Sequence, residues 1–259
     1  IAMEQNDGGK AVGWFEKSVQ LSPRNSVYFD WLGRAYGQQA QRASKFKLPF
    51  LAKKTKSAWD KSIELDPNNL DARYDMVLYY LQAPGFLGGG KEKAKAEAQE
   101  IKRRNPYRGA AASIRVCTDT KDQACLEREL NFLVSSYPDS SAGYTSFAAF
   151  YTNNKQYDKA FAILDKRFSL KPNDPAGLYA YGRTASVSGT NLDRGEQSLR
   201  AYIAAPILVG GPPLANAHYR LGLIREKKGD KAGARAEYQT AVRLDPALTE
   251  AKKALEALR

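Results

Sequence analysis

Apolar positions along the chain gather into helical groups, and several groups end alike. SVQLSPRN (18–25), SIELDPNN (62–69), RFSLKPND (167–174) and AVRLDPAL (241–248) each set apolar residues ahead of a polar residue and a proline. Proline has no amide hydrogen and pushes the residue before it out of helical range, so each tract predicts a helix that stops there. IKRRNPY (101–107) and LVSSYPD (133–139) are weaker versions between them. LDARYDMVLYYLQ (70–82) and SVYFDWLGRAYG (26–37) predict helices upstream of such stops, and KAVGWFEKSVQL (10–21) predicts another. Pro138 and Pro172 are 34 residues apart. A spacing of that size marks stacked helical hairpins, each unable to bury its apolar face alone.

Two tracts sharpen the pattern. AHYRLGLIREKKGDKAGARAEYQTAVRLDP (217–246) has Leu221-Gly222 in its first helix, Gly229 at the turn, and Ala234, Tyr238 and Ala241 in its second. GYTSFAAFYTNNKQYDKAFAILDKRFSLKP (143–172) matches it with Tyr144, Phe147, Ala148, Tyr151, Tyr157 and Ala160. Both resemble the tetratricopeptide repeat family, in the style of bacterial multi-repeat proteins. The resemblance implies an all-α, right-handed superhelix of about seven hairpins. Gly33, Ala148, Gly182 and Gly222 would stand where two helices cross closely, with large residues filling the holes beside them. The expected division is a partial unit at 1–25, then 26–69, 70–106, 107–138, 139–174, 175–214 and 215–248, with a charged capping helix at 249–259 in one continuous array. Residues 1–6 read as the tail of a missing partner helix. Residues upstream of Ile1, or a second molecule, are then expected to cover Phe15 and Val19.

Three places depart from the period. SKFKLPFLAKK (44–54) adds about ten residues between two helices, and APGFLGGG (83–90) adds about five. Turns within hairpins share one edge of such an array, so these two insertions should be neighbours. APILVGGPPL (205–214) lies between hairpins and belongs on the other edge.

The net charge is +12. Residues 41–62 hold seven basic side chains against Asp60, and 91–108 hold seven against Glu92, Glu97 and Glu100. These segments raise a polyanion (nucleic acid, acidic polysaccharide or anionic lipid) as an alternative partner, against the plainer reading of solvated helix faces. Phe46, Leu48, Phe50 and Leu51 interleave with the first cluster. With Phe86 and Leu87 they either form a basic, apolar knob or pack on one another; the packing reading is preferred. No nucleic-acid-binding module is recognised, so nucleic acid is not the expected partner.

Candidate chemistry is sparse. GFLGGGKE (85–92) fits all but the last position of a phosphate-binding loop. That loop needs a preceding strand and a Ser or Thr hydroxyl for Mg²⁺, whereas here a helix precedes and Glu92 stands in the last position. An anion held by glycine amides at a helix start is the reading left open. His218, the single histidine, falls at a packing position and has no nucleophile arrangement with it. Cys117 and Cys125 flank a short turn between antiparallel helices, which allows a disulfide; two buried thiols are the alternative. A disulfide would favour a periplasmic or otherwise exported setting over the cytoplasm. No residue set supports catalysis, and no cofactor or metal site is expected.

The resemblance supplies the remaining site. First helices of tetratricopeptide units line a concave groove that binds a peptide or a partner's segment. Register carries the groove onto Asp30, Arg34 and Gln38, then Tyr74, Leu78 and Gln82, then Thr145, Ala149, Asn153, Tyr179 and Arg183, and finally Asn216, Tyr219, Leu223 and Lys227. Tyr74 and Tyr179 have a competing reading as fillers between hairpins. The Lys-and-Asn pattern that clamps C-terminal carboxylates in some family members is not reproduced. The expected function is a protein–protein interaction scaffold, with self-association through the incomplete first unit.

Overall fold

The computed structural model of the protein describes residues 8–206 and 210–258. The reading of residues 1–6 and part of the 205–214 insertion lie outside the described residues. Among the described residues there are fourteen α-helices and no strand. The chain divides into two compact units, Ile1–Glu129 and Leu130–Arg259.

The first unit contains α1 (Gly8–Leu21), α2 (Ser26–Gln41), α3 (Leu48–Leu65), α4 (Leu70–Gln82), α5 (Lys91–Arg104) and α6 (Pro106–Thr120). The boundary falls within α7 (Gln123–Ser136). The second unit continues with α8 (Ser141–Asn153), α9 (Tyr157–Leu170), α10 (Pro175–Ser188), α11 (Leu192–Ala204), α12 (Leu214–Lys227), α13 (Lys231–Leu244) and α14 (Thr249–Ala257). Sequential helices pack on one another from α1 to α6 and from α8 to α14, and first helices of adjacent hairpins also touch, as α8 does α10 and α10 does α12.

The proline tracts stop one helix and also begin the next. Asn25, Asn69 and Asp174 each follow the proline by two residues and accept backbone N–H bonds from the first turn of α2, α4 and α10. A side-chain acceptor there satisfies amides that have no partner within the helix. Pro106 follows the end of α5 at Arg104 as expected and has a second role. It is the first residue of α6, where a missing N–H costs nothing, and Asn105 caps it. The long insertion in 44–54 also differs from a loop: α3 starts at Leu48, with Pro49 in its first turn, so most of it is helix.

One kind of corner recurs. Asn69 donates from Nδ2 to Ser26 Oγ (2.8 Å) and Ser62 Oγ (3.0 Å), joining α2, α3 and the start of α4. In the second unit Arg167 of α9 donates to Asp174 Oδ2 (3.0 Å), Ser141 Oγ (2.9 Å) and the Pro138 carbonyl (3.0 Å). Ser141 Oγ donates in turn to Asp174 Oδ1 at 2.8 Å. Ser62 and Arg167 both precede their proline by five positions. Both Arg167 and Asp174 are buried, so the charges are paired and hydrogen-bonded throughout.

The core is a chain of small clusters. Ala11, Leu32, Tyr36 and Leu51 form one, with Phe15 and Val19 packed on its edge. Phe15 stacks on Trp31 at 6.0 Å, while its neighbour Trp14 is the residue left exposed. Tyr144, Tyr181, Leu199, Leu221 and Tyr238 are fully buried in the second unit, each worth about 1.5–3 kcal/mol of apolar transfer. A Cβ on Gly33, Gly182 or Gly222 would come within 3.0 Å of Trp59, Leu199 or Tyr238, so these are the close crossings expected. Gly109 is tighter still. It meets the backbone N and Cα of Lys102, so α5 and α6 touch main chain to side-chain-free main chain.

Candidate functional site

A cleft of about 540 Å³ opens in the first unit between α2, α3 and α4. Trp59 and Thr55 of α3 form its floor, Arg34 and Gln38 of α2 one wall, and Leu78 and Gln82 of α4 the other. Leu48 and Leu87 close its rim, so the two insertions meet here. Tyr79 fixes the second one by donating from its hydroxyl to the Leu87 carbonyl at 2.7 Å. Four of the register-derived groove residues therefore line one concave surface with an apolar floor and amide-bearing walls.

Arg34 is engaged within the protein. It pairs with Asp75 at 2.6 Å and Asp30 at 3.2 Å, and its guanidinium lies 4.9 Å from the Trp31 ring centre. Asp30 is buried, which raises its carboxyl to about 6 against the opposing pull of Arg34; Asp75 and Asp71 add to the rise. A raised carboxyl binds protons more tightly folded than unfolded. Its penalty is absent below about pH 4 and grows as pH rises through about 6. Asp30→Asn is therefore expected to stabilise the protein at pH 8 by on the order of 2 kcal/mol, with no gain at pH 4. Urea denaturation at the two pH values checks this; a loss at pH 8 would contradict it.

The other groove residues divide. Tyr74 is half-buried against Val77, Ala94 and Ile101, the geometry of a filler between hairpins. Tyr179 is half-buried with its ring 5.3 Å from Tyr202. Asn153 and Arg183 are brought together, Arg183 Nη2 donating to Asn153 Oδ1 at 3.2 Å. Tyr219 is half-buried, 6.0 Å from Tyr238; Asn216 is half-buried and Lys227 exposed. Register missed Arg220, which stands on α12 against the helix that carries Arg183, and whose charge adds to the burial that lowers the Arg183 guanidinium. It sits one position past Tyr219, and only the packing of α10 on α12 reveals it.

The insertion edge is not the apolar cushion preferred from sequence. Leu51 is buried and Leu48 and Leu87 pack at the cleft, but Phe46, Phe50 and Phe86 are 95%, 62% and 81% exposed. Lys54 lies over the Phe50 ring at 5.1 Å. In 91–108, Lys95 pairs with Glu92, Lys102 with Glu129, Arg103 and Arg104 with Glu100, and Arg108 with Asp71. Most of that cluster's positive charge is thus locally compensated.

The glycine run is a turn. A helix, α4, precedes it, followed by a 3-10 turn at Gly85–Leu87. The amides of Gly88, Gly89 and Gly90 donate to the carbonyls of Gly85, Pro84 and Tyr80, leaving the phosphate-loop geometry without its donors. A Cβ on Gly89 would overlap the Ala83 carbonyl, and Gly88 has φ +90°, which accounts for glycine at both. His218 Nδ1 is 2.7 Å from Glu237 Oε2 on the facing helix. Cys117 of α6 and Cys125 of α7 are bonded to each other, their Cα atoms 5.7 Å apart.

Comparison with known proteins gives the fold its relatives. The family profile described as tetratricopeptide repeat matches residues 215–248. The human protein O-mannosyl-transferase TMTC1 is 29% identical over 120 residues, 46% of this chain and 13% of that protein's length. A tetratricopeptide repeat protein from Parabacteroides merdae superposes with a TM-score of 0.59 at 14% identity, covering 99% of this chain and 94% of its own. PilF of Pseudomonas aeruginosa gives 0.56 at 15% identity, covering 90% and 97%. Among the described residues no helix is long and apolar enough to cross a membrane. The α12–α13 hairpin matches the tetratricopeptide repeat profile, and the chain has the fold of tetratricopeptide repeat proteins.

Proposed function

We propose that the protein is an interaction scaffold that binds an extended segment of a partner protein on the exposed face of its first helices, with the cleft of the first unit taking an apolar side chain. The fold is one that generally serves protein–protein interaction. The observation that carries the reading is the cleft itself. Its floor is the edge of Trp59, and Gln38 and Gln82 on its walls are amides suited to hydrogen-bond a peptide backbone. A pocket that buries one apolar anchor and orients it with a few polar groups is the usual form of a peptide hot spot. Transferase activity is a property named for the human relative; the matched segment is 13% of that protein.

Selection of random peptides displayed on phage tests the reading. Wild-type protein is expected to select peptides sharing an apolar or aromatic residue. Leu78→Glu, at a half-exposed position, is expected to weaken them by about thirtyfold or more, with an unchanged melting temperature. Failure to select any peptide, or binding indifferent to Leu78→Glu, would sink it.

A further inference from the structure

We propose that Arg183 and Arg220 form a binding site for an acidic side chain, a carboxylate or a phosphorylated residue, on a partner peptide lying across α8, α10 and α12. The inference rests on the groove reading and names the chemistry of one position in it.

These three helices are the first helices of successive hairpins within the second unit, and they touch in order. Each contributes one polar group: Asn153 from α8, Arg183 from α10 and Arg220 from α12. Arg183 makes its bond to Asn153 at 3.2 Å, using one of five guanidinium N–H donors. Arg220 lies with its guanidinium carbon 5.3 Å from the Tyr219 ring centre, and its Nε is buried without a hydrogen-bond partner among the described residues. Neither arginine has a carboxylate in ion-pair reach there. Other arginines of the same unit do: Arg167 with Asp174, Arg194 with Asp165, Arg200 with Glu196 and Arg225 with Glu237. Arg34 makes the contrast sharper, because it occupies a groove position in the first unit and is neutralised by two aspartates.

Burial, and then the charge of Arg220, push the Arg183 guanidinium below the usual arginine value. It remains protonated at neutral pH, so two like charges stand half-buried on touching helices. An incoming anion relieves that repulsion and fills the unused donors. Two planar forks suit the two oxygens of a carboxylate or the three of a phosphate. The flanking rings of Tyr179 and Tyr219, both half-buried, provide apolar sides that keep water from screening the contact.

An array of several thousand random 12-residue peptides, with glutamate, glutamine and phosphoserine versions of each, is probed with the full chain and with Arg183→Gln and Arg220→Gln. Bound peptides are expected to be enriched in acidic residues. Glutamine versions should be weaker by about ten- to a hundredfold, and both variants should lose that discrimination. Comparing glutamate with phosphoserine versions separates the two sources of the anion. The variants are expected to melt no lower than wild type, because each removes one of two repelling charges. Should either melt lower, Arg220→Lys, which keeps a charge but not the planar fork, carries the same comparison. Peptide binding without acidic preference, or a preference that survives both substitutions, overturns the arginine site and leaves the groove reading standing. An array on which nothing binds overturns both.

Discussion

A Gly109→Ala variant is expected to lose about 3 kcal/mol of stability or more, the largest loss among alanine variants of the glycines at helix crossings. The added Cβ would fall within 3.0 Å of the Lys102 backbone nitrogen and Cα, so relief requires α5 and α6 to move apart as helices. At Gly33 and Gly222 the obstructing atoms belong to the Trp59 and Tyr238 side chains, which can turn within their rotamers at lower cost. Urea denaturation of the three alanine variants should therefore rank Gly109 first, with a lower midpoint and an unchanged slope. A Gly109→Ala loss below that of the other two would mean the α5–α6 crossing is looser than its backbone contact implies.

The second large effect concerns the buried pair in the α8–α9–α10 corner. Asp174→Ala leaves Arg167 charged, buried and short of its main partner, and it removes the cap of α10. A loss of about 3–5 kcal/mol is expected. The diagnostic measurement is the double variant Arg167→Leu/Asp174→Ala. Removing both charges eliminates the uncompensated one, so the double is expected to be more stable than Asp174→Ala alone. A double variant that is worse by the sum of the two single losses would show that packing, not charge, holds the corner.

Much of the fold was legible because hairpin stacking repeats its requirements. Apolar residues before a proline, small residues at crossings and a fixed period are local signals, and the crossings at Gly33, Gly182 and Gly222 followed from them. The proline tracts carried a second message that a search for helix ends passes over: the Asn or Asp two residues on is the next helix's cap. Pro106 does both jobs at once: α5 ends two residues before it, and it opens α6 because a capping residue, Asn105, stands just before it. Gly109 gave no signal, since its need for glycine arises from Lys102 in another helix.

The candidate site was legible as positions and not as states. Register put Arg34, Gln38, Leu78 and Gln82 on one surface, and they line one cleft. Whether an arginine is free or engaged depends on residues far along the chain, as Asp75 does for Arg34, and no spacing rule reports that. The three phenylalanines of the insertion edge make the same point. Alternation of Phe and Lys fits either packing or exposure, and the partner surface decides.

The three-way corner has a consequence for rebuilding this protein by grafting. Its polar residues belong to the start of one hairpin, the second helix of that hairpin and the cap of the next: Ser141, Arg167 and Asp174. A transplant cut at a hairpin boundary would carry two of them and strand the third. The interchangeable module therefore runs from the first residue of a hairpin through the cap of its successor, and successive modules overlap by that cap.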